Sequence, residues 1–327
     1  MSSSSISSSP SAPYVVEDCR GHLQLLSDGT VVRSPHPIFP VDIPDDFPVD
    51  WKDILFDPNH GLHLRLYMSR AAINKLPVLV YFHGGGFCIG SRTWPNFHAS
   101  CLRLASDLHV IVASIDYRLA PEHRLPAAFD DATAALLWLR DQSQSDAWLS
   151  EHADLSSVFV IGESAGGTIA HQMAVQFGLT GLNPVRLCGF ILVMPGFVAE
   201  ERTKSELDCL DGAFLSLEQL DRYCRLSLPP DATRDHPFWN PFGPESPNLE
   251  AAELAPLLVV VAERDLLRDR GVEYATRLKE MGKEVELLEI KGQEHGFFAI
   301  NPWSKPAGEM IRFIKLFMDA FGNKSEE

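Results

Sequence analysis

At 327 residues, with 45% hydrophobic and 22% charged side chains, the chain has the length and apolar content for one large buried core, which excludes global disorder. Its formal net charge of −16 argues against nucleic acid or an anionic membrane as partner, since both are bound by clustered Lys and Arg; a neutral small molecule fits better. Six cysteines (Cys19, Cys88, Cys101, Cys188, Cys209 and Cys224) show no CxxC spacing, so neither a zinc site nor a redox pair is expected, and buried free thiols of a reducing compartment are.

Residues 1–11 are serine-rich, with no basic cluster and no apolar run, so residues 1–15 read as a disordered tail rather than a secretory signal. No stretch approaches the roughly 18 apolar residues of a membrane span; the cytoplasm is expected, with the nucleus as a second compartment. Apolar runs at 23–26 and 30–32 flank Ser27-Asp28-Gly29 and predict a hairpin, and proline-rich sequence follows to about Pro48. Leu62, Leu64 and Leu66 alternate with His63, Arg65 and Tyr67, the period-two pattern of a strand buried on one face.

From Pro77 the pattern changes. Continuous apolar runs at 78–82, 110–114, 158–161, 187–193 and 257–261 suit parallel strands buried on both faces. Helical stretches at 97–108, 127–140 and 165–177 lie between them, and this alternation predicts a mostly parallel central sheet flanked by helices, the α/β class. Residues 197–250 break the rhythm: Leu215, Leu217, Leu220, Tyr223 and Cys224 share a helical face and a run of prolines follows, so the segment reads as an inserted cap. A helix at 267–281, a strand at 285–290 and an amphipathic helix near 308–321 close the chain. One domain over 16–327 is expected, with 16–50 and roughly 197–250 contributing to the cap.

Gly162-Glu163-Ser164-Ala165-Gly166 matches GxSxG between a buried strand and a helix, the context that motif requires. The turn must hold Ser164 in a strained conformation, and glycine on either side removes the clash. Ala165 opens the helix, so its N–H has no intrahelical acceptor and is free to face an anion. Upstream, His83-Gly84-Gly85-Gly86-Phe87 follows a strand, and successive glycines let backbone N–H groups approach a developing oxyanion. Gly85, Gly86 and Ala165 are the candidate donors, Gly84 shapes the loop and His83 braces it.

In hydrolases of this topology the acid and then the base follow the nucleophile in the chain. Asp265 stands just past the strand at 257–261, with Asp269 as the second choice. His295 lies in a glycine-flanked loop after the strand at 285–290; His171 on the nucleophile's own helix and His236 in the proline-rich cap are weaker candidates. Neutral His295 would take the Ser164 proton and pass it to a leaving alcohol, with Asp265 holding the tautomer. Phe87, Cys88, Phe297 and Phe298 adjoin these loops and are candidates both for substrate contact and for core. No metal or cofactor is required by this chemistry.

HGGGF, GESAGG and Asp116-Tyr117-Arg118-Leu119-Ala120-Pro121-Glu122-His123, followed by Pro126-Ala127-Ala128 and Asp130, resemble the plant carboxylesterases of the hormone-sensitive-lipase-like branch of α/β-hydrolases, over nearly the whole chain. The resemblance implies an α/β-hydrolase fold, a lidded apolar pocket, a small-molecule ester substrate, a monomer or homodimer, and structural roles for Arg118 and Glu122. LQLLSDGTVVRS, GSRTWPNFH and NPFGPESPNLE are most similar to plant carboxylesterases that cleave strigolactones, although those carry Glu at the acid position, where this chain has Asp265. Two other readings share the family: a lyase resembling 2-hydroxyisoflavanone dehydratase, with the histidine as base for elimination, and a non-catalytic hormone-binding protein resembling gibberellin receptors. The latter have an apolar residue at the histidine position, so His295 counts against a receptor.

Overall fold

A computed structural model of the protein describes residues 12–34 and 40–322. Most of the expected tail, residues 1–11, lies outside the described residues. The chain divides into two compact units, Met1–Pro37 and Ile38–Glu327, where the sequence leads one to expect a single domain from residue 16.

The first unit holds a three-stranded antiparallel sheet in the order β1 (Val15–Cys19), β2 (Leu23–Leu26) and β3 (Val31–Arg33). The expected hairpin is β2–β3: Gly29 has φ +86°, and the Asp28 carboxylate accepts the Thr30 N–H at 2.9 Å, an Asx turn. The strand β1 was not legible, because its residues Val15 and Val16 are exposed and carry no alternation.

The second unit is built on a sheet of eight strands among the described residues. In chain order these are β4 (Val49–Asp57), β5 (Leu62–Ser69), β6 (Leu76–Phe82), β7 (Ile111–Ile115), β8 (Ala153–Glu163), β9 (Leu187–Val193), β10 (Leu257–Ala262) and β11 (Val285–Ile290). In space they run β11-β10-β9-β8-β6-β7-β5-β4, with β6 to β11 parallel and β4 and β5 antiparallel. The helices are α1 (Pro95–Leu108), α2 (Ala127–Gln142), α3 (Ala147–His152), α4 (Ala165–Thr180), α5 (Lys204–Leu207), α6 (Leu217–Ser227), α7 (Arg268–Glu280), α8 (Phe297–Ile300) and α9 (Lys305–Gly322).

Alternate residues of each central strand face opposite helical layers. Leu79, Tyr81, Phe159, Ile161, Leu258 and Val260 pack with α1, α8 and α9 in one apolar layer. The opposite face is covered by α2, α4 and α7, and Gly271 of α7 approaches so closely that a methyl group there would stand 2.5 Å from Val261 Cγ1. Burial on both faces is why these strands read as unbroken apolar runs. The edge strand β4 is the opposite case: Trp51 and Leu55 are each 48% exposed, and Arg65 of β5 covers the Trp51 ring at 3.9 Å.

Candidate active site

Ser164 occupies the corner between the central strand β8 and α4, with φ 56° and ψ −118°. Such a backbone costs on the order of 1–3 kcal/mol and persists only where neighbours over-determine it. Here the Ser164 N–H donates to the Val193 carbonyl at 2.9 Å, and its own carbonyl accepts from Thr168 and Gly196. A methyl group on Gly162 would stand 1.9 Å from the Gly166 carbonyl oxygen, and one on Gly166 would stand 2.0 Å from that of Phe82. Any side chain at either position would open the corner.

His295 reaches Ser164 from far along the chain. His295 Nε2 is 2.9 Å from Ser164 Oγ, and Nδ1 is 2.8 Å from Asp265 Oδ2. The carboxylate accepts at Nδ1, so that nitrogen carries the proton and Nε2 is left as acceptor for the serine hydroxyl. Asp265 is itself fixed, since Oδ1 accepts the Leu267 N–H at 2.9 Å. The loops after β10 and β11 are stitched together: Arg264 N–H donates to the Gln293 carbonyl at 2.8 Å, and Gly292 N–H to the Glu263 carboxylate at 2.8 Å. Asp265 and His295 are buried, which strengthens their hydrogen bond relative to water.

The glycine loop follows β6 and lies against the serine corner; a methyl group on Gly84 would be 3.1 Å from the Glu163 carbonyl oxygen and 3.3 Å from Ser164 Cβ. Within it, Cys88 and Ile89 donate their N–H groups to the Gly85 carbonyl, both at 3.0 Å. His83 sits beneath the loop, as its place in the sequence leads one to expect. Its Nδ1–H donates to the Gly84 carbonyl at 2.7 Å and its ring stacks on Tyr117 at 4.3 Å, while Tyr117 hydroxyl donates to the His83 carbonyl. Burial lowers the His83 pKa, which keeps this brace neutral. The Ala120 N–H donates to the Phe87 carbonyl, so the DYRLAPEH segment holds the far end of the loop. Arg118 of that segment grips Asp131, through contacts down to 2.6 Å, rather than the neighbouring Asp130.

The weaker candidates lie elsewhere. His171 Nδ1 is 2.8 Å from the Tyr274 hydroxyl, and burial pushes its pKa down to about 3. His236 Nδ1 accepts the Phe238 N–H within the insertion. Asp269 accepts from the Ser205 N–H at 2.9 Å and pairs with Arg268, tying α5 to α7. Phe87, Cys88, Phe297 and Phe298 are all buried. Phe297 and Phe298 belong to the apolar layer shared with α1 and α9, and Phe87 packs edge-on against Phe129 and Trp239; these contacts are those of core side chains. The aromatic rings that touch the site's glycines come from the insertion, Tyr223 at Gly86 and Phe214 at Gly296.

Glu163 occupies the variable position of GxSxG, which the motif leaves unspecified. It is 3% exposed, and burial raises its carboxyl to about 7, with Asp265 adding in the same direction against His295 and the Ala299 N–H. Its Oε2 has no hydrogen-bond partner among the described residues. The available signal was an acid ending an otherwise apolar strand.

A family model described as the alpha/beta hydrolase fold matches residues 79–299. The chain is 35% identical to probable carboxylesterase 6 of Arabidopsis thaliana over 290 residues, 86% of this chain and 84% of that protein. It is 40% identical to the gibberellin receptor GID1B of the same plant over 247 residues, 75% of this chain and 66% of the receptor. Among solved structures, EstE1, a thermophilic carboxylesterase cloned from a metagenomic library, superposes with a TM-score of 0.73 at 28% identity, covering 84% of this chain and 90% of that one.

Proposed function

The chain belongs to the alpha/beta hydrolase family and is a carboxylic ester hydrolase, and we propose that Ser164, His295 and Asp265 carry its reaction through an acyl-enzyme. The observation that carries this reading is the pair of contacts at His295, 2.9 Å to Ser164 Oγ and 2.8 Å to Asp265 Oδ2. His295 Nε2 accepts the serine proton as Oγ attacks the ester carbonyl. The Gly85, Gly86 and Ala165 N–H groups receive the oxyanion; each such donor is worth on the order of 100- to 1,000-fold in rate. Imidazolium then protonates the departing alcohol, Asp265 balances its charge, and water repeats the sequence on the acyl-enzyme.

The substrate is a small, apolar, uncharged ester, and the finer assignment is a strigolactone-type hormone, supported by the three segments that resemble strigolactone-cleaving carboxylesterases. Residues 197–250 act as the cap, in the cytoplasm; the five buried free thiols suit that compartment. No helix among the described residues is long and apolar enough to cross a membrane.

Ser164→Ala should lower turnover of p-nitrophenyl acetate by at least about 1,000-fold, and brief exposure of the native chain to substrate should leave an acyl adduct on the Ser164 peptide by mass spectrometry. Equal rates in both proteins would remove the serine from the mechanism. Incubation with a strigolactone should yield products heavier in sum by one water; an unchanged hormone beside rapid p-nitrophenyl ester cleavage would discard that substrate and keep the esterase.

A further inference from the structure

A glycine loop that offers backbone donors has a difficulty of its own: the freedom that lets N–H groups approach a ligand also lets them drift. Oxyanion donors act only when held about 2.7–3.1 Å from the developing charge. Something outside the loop has to remove that freedom at Gly86, whose φ is +60° and which has no side chain to anchor.

Tyr223 of α6 is placed to do so. A methyl group on Gly86 would stand 2.2 Å from Tyr223 Cγ and 2.5 and 2.6 Å from its two Cδ atoms, so the ring rests directly on the glycine backbone. A second ring from the same insertion does the like beside the base. Gly296, with φ +73°, follows His295, and a methyl group on it would stand 2.8 Å from Phe214 Cε1. Tyr223 is 7% exposed, so its contact is a packed one.

The stretch bearing both rings is anchored by charge. Asp221 of α6 is held by Arg202 at 2.7 Å and by Arg234. Both arginines also hold Glu206 of α5, at 3.3 and 2.9 Å, and Arg270 of α7 holds Glu206 as well, at 3.3 Å. The insertion is thereby fastened to the helix that follows Asp265 and extends across to the loops of Gly86 and His295.

We propose that Tyr223 and Phe214 are positioning residues for ester hydrolysis, the first seating the oxyanion loop and the second the base loop. The inference rests on the assignment of Ser164, His295 and the glycine loop made above. Misplacement of catalytic groups by about 1 Å costs on the order of 100-fold, so removing either ring should cost turnover rather than binding of a small substrate.

The full chain is assayed with p-nitrophenyl acetate, whose acyl group needs no extended pocket, and active sites are counted by the p-nitrophenol burst from diethyl p-nitrophenyl phosphate. Per titrated site, kcat of Tyr223→Ala should fall about 10- to 100-fold with KM changed less than about 3-fold, and Tyr223→Phe should recover to within about 3-fold of the native chain. Phe214→Ala should lower kcat similarly and displace the acid limb of the kcat/KM pH profile, which reports the free base. Unchanged kcat in both alanine variants, a loss confined to KM, or a Tyr223→Phe variant as impaired as Tyr223→Ala would overturn the proposal. Where circular dichroism shows an alanine variant unfolded, Tyr223→Leu and Phe214→Leu are read by the same criteria. Ser164→Ala runs alongside: turnover equal to native overturns the triad assignment and this inference with it, whereas a dead Ser164→Ala beside fully active ring variants overturns this inference alone.

Discussion

Glu163 shows how a single buried acid writes pH into the stability of the protein. Burial, with Asp265 in support, raises its carboxyl from 4.5 to about 7. Between those values the unfolded chain has released the proton and the native chain still holds it, so stability falls as pH rises through this window and levels off above it. The full difference is up to about 3 kcal/mol. Glu163→Gln, which cannot ionise, should therefore gain on the native chain between pH 5 and pH 8, measured as the difference in urea midpoint; parallel curves would show that the carboxyl is not held neutral. At this scale the three residues that the structure brings into hydrogen-bond contact were legible because each sits in a recognisable sequence context: Ser164 between glycines, Asp265 past an apolar strand, His295 between Gly292 and Gly296. Tyr223 and Phe214 were not assigned to the site, since the contact of a ring with a glycine fifty or more positions away leaves no local mark.

The elements divide along the same line. The strands β6 to β10, with α1, α2, α4, α7 and α9, are legible because burial on both sheet faces removes polar residues from the strands and leaves helices their apolar stripe, whereas β11, an edge strand that keeps Glu286 and Glu289, is legible from Val285, Leu287, Leu288 and Ile290. The strand β4 was not, because an edge strand with Trp51 and Leu55 in solvent lacks alternation, and its pairing depends on the long-range partner β5. Equally hidden was the charge cluster of the insertion, which joins residues of α5, α6 and α7 through Glu206, itself 0% exposed. Removing one partner of a buried ion cluster costs about 3–5 kcal/mol, because the remaining charges are left uncompensated. Glu206→Gln, which keeps the shape and removes the charge, should lower unfolding free energy by about 3 kcal/mol in urea titration. A change below about 1 kcal/mol would show that Asp221, with Arg202 and Arg234, and Glu273, with Arg270, satisfy the arginines without Glu206.

For the molecule as a whole, the order of strands in space was the least legible property, since β8 lies beside β6 rather than β7, and β5 runs antiparallel against β7. No periodicity encodes which strand lies beside which. That order decides how the parts of the proposed triad are distributed: Ser164 follows β8, flanked on both sides, whereas His295 follows β11, which ends the sheet and, among the described residues, pairs with β10 alone. A terminal strand with one neighbour opens at lower free energy than a central one. Catalysis is then a more sensitive thermometer than ellipticity: on warming, the rate of p-nitrophenyl acetate cleavage should collapse reversibly a few degrees below the far-ultraviolet melting midpoint, and coincidence of the two transitions would show that the rim of the sheet melts no sooner than its middle.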